Sequence, residues 1–172
     1  MSDFVPLIVG LGGTTRVGSS SEIALRYALR AAERAGAQTA ILAGPALNLP
    51  MYAPENPQRS PSASELISLL RRSHGVIVAS PGYHGSISGL VKNALDYVED
   101  MRSDSAAYFD GRAWAAWPVL TVGRPRGVRW RHCVPSFMRC VGGLHPWVSH
   151  SIAAKRCLVR TEPVWMPVLQ NN

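Results

Sequence analysis

The sequence predicts one doubly wound α/β domain, a parallel sheet with helices on both faces. Three observations carry that expectation. Short apolar runs alternate with stretches of helical spacing over the first two-thirds of the chain. The apolar runs end in loops of small residues, and 172 residues are enough for one domain and too few for two ordinary ones. With 47% hydrophobic and 17% charged residues, the chain has material for a core and does not read as disordered. No apolar run approaches the roughly 18 residues a spanning helix needs. Met1 to Pro6 lacks the basic start and long apolar stretch of a secretory signal. The expectation is a cytoplasmic protein without a membrane partner.

Val5 to Leu11 is an apolar run ending in Gly12-Gly13, which suits a buried strand entering a tight turn. Ser19 to Glu22 offers a cap followed by an acid, and the helix it opens is expected to end near Gly36. Gln38 to Leu42 reads as a second, short strand. Pro45, Pro50, Pro54, Pro57 and Pro61 make the next segment a loop and not an element. A second helix is expected to be capped by Ser62-Ala63-Ser64-Glu65, with Leu66, Ile67, Leu69 and Leu70 as its apolar side. Gly75 to Ser80 is the third strand, and Gly89 to Asp100 a third helix. His74, just before Gly75, is expected at a helix end, where its charge favours the dipole.

In such sheets ligands bind beyond the carboxyl ends of the strands, where strand order reverses. Two loops fall there. Gly12 to Ser21 combines glycines, the hydroxyls of Thr14, Thr15, Ser19, Ser20 and Ser21, the forked cation of Arg16 and the amides of a helix start. Those groups suit an anion. The loop has neither the Gly-Lys-Ser/Thr of a Walker loop nor the Gly-x-Gly-x-x-Gly spacing; an ordinary polar turn with a Ser cap is the plain alternative. Ser80 to Gly89 adds an aromatic and backbone amides at the edge of a planar ligand.

Together these segments resemble the NADPH-dependent FMN reductase family, a branch of the flavodoxin-like fold. Gly13-Thr14-Thr15-Arg16-Val17-Gly18-Ser19 matches its Gly-Ser/Thr-x-Arg-x-x-Ser loop. Pro81 to Asp96 matches its Pro-x-Tyr-x-x-Ser-x-Pro-Gly-x-Leu-Lys-Asn-Ala-x-Asp segment. The resemblance extends from Val5 to about Gly111 and implies a three-layer α/β/α, flavodoxin-like domain. It implies that Thr14, Arg16, Ser19, Ser20 and Ser21 hold the FMN phosphate. Pro81, Gly82, Tyr83, His84, Gly85 and Ser86 would run beside the ring and ribityl chain. Lys92, Asn93 and Asp96 would brace the following helix. Gly82 stands where the family often has Glu, and Ser88 where it usually has Pro; both are expected to loosen the loop. The implied chemistry is hydride transfer from NADPH or NADH to FMN and on to a small-molecule electron acceptor: a free flavin, a quinone or an azo dye. An azo-, chromate- or quinone-reducing relative is the alternative, and a non-catalytic remnant with an incomplete flavin site the second. The cofactor carries that reaction, so no side chain is assigned as catalytic. The segment Pro45 to Pro61 is a candidate acceptor lip or a plain connector. A homodimer or homotetramer is implied.

The last third departs from this pattern. Residues 1–113 carry ten Lys/Arg and ten Asp/Glu, whereas 114–172 carry eight basic residues and the single acid Glu162, the whole of the net charge of +7. All five Trp and all three Cys lie there, and prolines at 118, 125, 135, 146, 163 and 167 interrupt every candidate element. The fourth strand, third flavin loop, fifth strand and final helix are expected to be missing. The bias is that of a G/C-rich gene read out of register. Regrouping compatible codons of Trp114 to Val122 by one base permits Val-Gly-Cys-Val-Ala-Cys-Ala-Asp-Gly, an apolar strand entering a Gly loop. The stretches His132 to Val148 and Ser149 to Thr161 permit comparable strings. The chain therefore divides into an FMN-binding domain, 1–113, and a frameshifted, poorly ordered tail, 114–172. The third strand is expected to be an unprotected edge and the fold incomplete at the C-terminus, with weak or no FMN binding. The tail's His and Cys lack zinc-site spacing, so no metal is expected. Its Arg-rich stretch lacks helical periodicity, and no nucleic acid is expected.

Overall fold

A computed structural model describes residues 4–84 and 86–119, all within one compact unit. Strand β1 (Leu7–Gly12) leads through helix α1 (Ser20–Arg34) to β2 (Gln38–Ala43). Helix α2 (Pro61–Arg72), β3 (Gly75–Pro81), α3 (Gly89–Asp96) and β4 (Ala113–Val119) follow. All pairings are parallel and the order is β2-β1-β3-β4, the first four positions of the flavodoxin-like arrangement.

The pleat sends alternate residues to two cores. Val9, Leu11, Leu42, Val76 and Val78 face the larger one, with Leu66 and Leu70 of α2 and Val91, Ala94 and Leu95 of α3. Ile8, Ile41, Ile77 and Ala79 face the other way, against Leu25 and Leu29 of α1. Two faces covered from opposite sides make the expected three layers, and they explain why β1 and β3 read as unbroken apolar runs.

Several expectations are corrected. The fourth strand is present. Ala113–Val119 pairs with the whole of β3, from Gly75↔Ala113 to Pro81↔Val119, so β3 is no edge. Its tryptophan bias still permits a strand because the pleat turns Trp114 to the core, its ring 4.4 Å from that of Phe109, while Ala113 and Ala115 face outward. Helix α2 starts earlier than expected. Ser60 is its cap, its Oγ accepting from Ala63 N at 3.2 Å, and Pro61 takes the first helical position, where a missing N–H costs nothing. The proline-rich segment opens with a 3-10 turn, Gly44–Leu47, and a second such turn, Tyr97–Met101, follows α3. His74 lies beyond the end of α2. Its Nδ1 accepts from Leu7 N at 3.1 Å and its own N–H donates to Leu7 O at 2.8 Å, so it extends the β1–β3 ladder by one step instead of serving a helix dipole. The remaining tail residues, 120–172, lie outside the described residues.

Candidate functional site

Strand β1 lies between β2 and β3, so the chain leaves it in one direction and returns on the other side. The loops after β1 and β3 both start at that reversal. Gly13 N donates to Ala79 O at 3.1 Å, and a side chain on Gly12 would sit 2.1 Å from the same carbonyl. Only glycine permits this closeness, which seats the start of the first loop against the carboxyl-terminal part of β3.

The first loop is shaped by its own residues. Thr14 Oγ1 accepts from Arg16 N at 3.1 Å, and Gly18 turns at φ +70°. Ser19 caps α1, its Oγ accepting from Glu22 N at 3.3 Å. Ser20 and Ser21 are the first two helical residues, whose N–H groups have no intrahelical acceptor. Thr15, Arg16 and Ser20 are exposed and Thr14 half-buried. Ser19 and Ser21 are buried, their hydroxyls 3.3 Å apart. Glu22 is only 4% exposed. It takes the Gly18 N–H at 2.9 Å on Oε2 and the Arg26 Nε and Nη2 at 3.0 and 2.8 Å on Oε1. Those bonds, the Arg26 fork first, hold its carboxyl below the usual range against the opposing effect of burial.

The second loop is a narrow hairpin. Tyr83 N donates to Ser86 O at 3.0 Å and Ser86 N to Tyr83 O at 2.9 Å, which closes a two-residue tip with His84 at φ +50°. Gly85 lies outside the described residues. Tyr83 is 53% exposed, and His84 and Ser86 are exposed. Ser88 does not loosen this loop as expected. Its N–H donates to the buried Ser80 Oγ at 2.9 Å, and its own Oγ accepts from Val91 N at 3.3 Å. It thus caps α3 and ties the loop's two ends together, which a proline could not do.

The proline-rich segment is clamped to α3 and the turn after it. Asn93, buried, donates from Nδ2 to Leu49 O and Pro50 O (3.3 and 2.9 Å) and accepts at Oδ1 from Tyr52 N (2.9 Å). It therefore braces the segment and not its own helix, whereas Lys92 and Asp96 do pair along α3. Arg59 grips Asp100 with both arms, Nε to Oδ2 at 2.6 Å and Nη2 to Oδ1 at 2.7 Å, and also donates to Ala53 O and Asn56 O. Its guanidinium lies over the Tyr52 ring, 5.0 Å from the centroid. The Arg59 bond keeps the Asp100 carboxyl below its ordinary range, and burial with the nearby Asp100 charge pushes the Tyr52 phenol up. Between the clamped residues Met51 stands 79% exposed.

Thr14, Arg16, Ser19, Ser20 and Ser21 are thus on one loop, and Pro81, Gly82, Tyr83, His84 and Ser86 on its neighbour. Sequence reasoning missed Glu22 as part of the loop, although Ser19-x-x-Glu22 has capping-box spacing. It also missed the reach of Asn93 across to residues 49–52, for which no local signal exists. Among the described residues no group of three or more His, Cys, Asp or Glu is placed to hold a metal, and no helix is long and apolar enough to cross a membrane. The tail's His and Cys lie outside the described residues.

A parallel sheet with two small-residue loops at its β1/β3 reversal defines a nucleotide-type binding protein of the flavodoxin-like class. A match to the NADPH-dependent FMN reductase family covers residues 6–132, well over half the chain, and the chain belongs to that family. The match runs past Gly111, where the resemblance was expected to stop. Members of that family are oxidoreductases that use FMN and a nicotinamide. It is similar to an NADPH azoreductase from Bacillus sp. (strain OY1-2), 41% identical over 51 residues, which are 29% of each chain. Among solved structures it is similar in fold to FerB, a flavoenzyme NAD(P)H:(acceptor) oxidoreductase from Paracoccus denitrificans, with TM-score 0.54 and 18% identity, covering 74% of this chain and 81% of that one. RosB gives TM-score 0.62 at 11% identity, covering 80% and 60% respectively.

Proposed function

We propose that the protein is an NAD(P)H-dependent FMN reductase-like oxidoreductase that passes hydride through FMN to a free flavin, a quinone or a similar small acceptor. The observation that carries this reading is that the loops after β1 and β3 leave the carboxyl ends of adjacent strands, where the Gly13–Ala79 bond ties the first of them to β3. FMN, when bound, supplies the redox chemistry. Thr14, Arg16 and Ser20, with the amides at the start of α1, would hold its phosphate; Ser19 and Ser21 would contribute their amides, since their hydroxyls face each other. The groups present suit a dianion: an exposed guanidinium, exposed hydroxyls and helix-start amides, with the nearby Glu22 charge balanced by Arg26. Pro81, Gly82, Tyr83, His84, Gly85 and Ser86 would hold its ring and ribityl chain. The clamped segment around Met51 is the acceptor lip. The 51-residue match to an azoreductase makes an azo compound a second acceptor class to assay.

The protein works in the cytoplasm as a homodimer or homotetramer, with neither nucleic acid nor membrane as partner. Residues beyond about Ala113 are a shifted reading of the family's sequence. Both frames are apolar over residues 114–119, which is compatible with β4 in the printed one. One extra base in the source DNA across codons 105–125 is the expected finding; without it the shifted chain is genuine and its FMN site incomplete. For the activity, the test is purification, FMN titration and NADPH oxidation with a panel of flavin, quinone and azo acceptors. A yellow protein that oxidises NADPH is expected of the unshifted chain, and weak or no FMN binding of the chain with the shifted tail. A colourless one that FMN does not stabilise would mark a non-catalytic remnant.

A further inference from the structure

We propose that Glu22 is a positioning residue of the first loop: with Arg26 it forms a charge-balanced strut that fixes the turn at Gly18 and thereby favours a phosphorylated flavin over one without phosphate. The inference rests on the reading of residues 13–21 as the phosphate loop. Gly18 turns at φ +70° with nothing within 4 Å of the place a side chain would occupy, so packing does not hold it. The bond to Glu22 Oε2 does. The same oxygen lies 3.7 Å from where a Gly44 side chain would begin, so the carboxylate is wedged between the loop and the end of β2. Glu22 takes the Gly18 amide, while the N–H groups of Ser20 and Ser21 have no intrahelical acceptor. A buried carboxylate beside an anion would repel it. Arg26, about half exposed, answers that charge through two bonds to the other oxygen.

The test is FMN and riboflavin titration of the full chain, wild type against variants, because riboflavin lacks only the phosphate. Glu22→Ala is expected to weaken FMN binding about tenfold and leave riboflavin unchanged, the size of one charge-assisted hydrogen bond. Glu22→Gln keeps an acceptor for Gly18 and is expected to restore the wild-type ratio. Should Glu22→Ala fail to fold by circular dichroism, Glu22→Asp keeps the charge but withdraws the acceptor, and the same split is expected. Equal weakening of both flavins, or an unchanged ratio, overturns the proposal while leaving the FMN reading intact. A wild-type chain that binds neither flavin overturns both.

Discussion

The two segments that flank the carboxyl end of β1 are held in different ways. The first loop is closed by bonds between residues two to four apart: Thr14 to Arg16, Ser19 to Glu22, Gly18 to Glu22. The proline-rich segment has short-range bonds of its own but is also anchored from outside, by Asn93, Tyr97 and Asp100, through bonds that span 41 to 48 positions. The first loop therefore takes its shape from its own residues, whereas the proline-rich segment takes its place from α3 and the turn after it.

Removing the lip's external anchor is expected to have the largest effect. Arg59→Met leaves the partly buried Asp100 without its fork and should cost about 2–3 kcal/mol in urea unfolding. Asn93→Ala removes three bonds to residues 49–52 at once. It is expected to cost about 2 kcal/mol and to raise KM for the acceptor while FMN affinity stays unchanged. If FMN affinity falls with it, the two regions are not independent and the contrast fails. Ser88→Ala loses the α3 cap, for about 1 kcal/mol, and keeps the amide bond to Ser80.

Acid should reach the two regions together. Asp100 and Glu22 both have carboxyls held below their ordinary values of 3.8 and 4.5. Each therefore contributes stability that is fully present above those values and is lost as pH falls through the lower folded ones. In Arg59→Met the Asp100 share of that acid loss should shrink, leaving only what Tyr52 and Arg71 contribute, which a pH series of unfolding midpoints would register. The smallest effect is expected for the exposed pair Lys92–Asp96, within ~0.5 kcal/mol for Lys92→Ala.

Much of this arrangement is legible from local pattern. β1 and β3 show as apolar runs because both faces are covered, and Ser19 shows as a cap because capping is decided within four residues. The start of α2 was misplaced by two residues, although Ser60-Pro61 carries the signal of a cap followed by an N-terminal proline. β4 was hidden by tail composition: a strand needs only the right residues on one side of the pleat, and Trp114 and Ala116 supply them within a proline- and arginine-biased context. Tertiary reach left no trace at all. Nothing near Asn93 in sequence indicates that it serves Tyr52, and nothing near Ser88 indicates that it bonds back to Ser80.

The short span of the first loop's bonds also bears on folding order. Ser19, Glu22 and Arg26 find one another within the first two turns of α1, so little chain entropy stands against their contacts. The Arg59–Asp100 and Asn93–Pro50 contacts must first close loops of some forty residues. The anion loop is therefore expected to be formed in the folding transition state and the lip to close after it. Substitutions at Glu22 should slow folding, whereas those at Asn93 should chiefly speed unfolding.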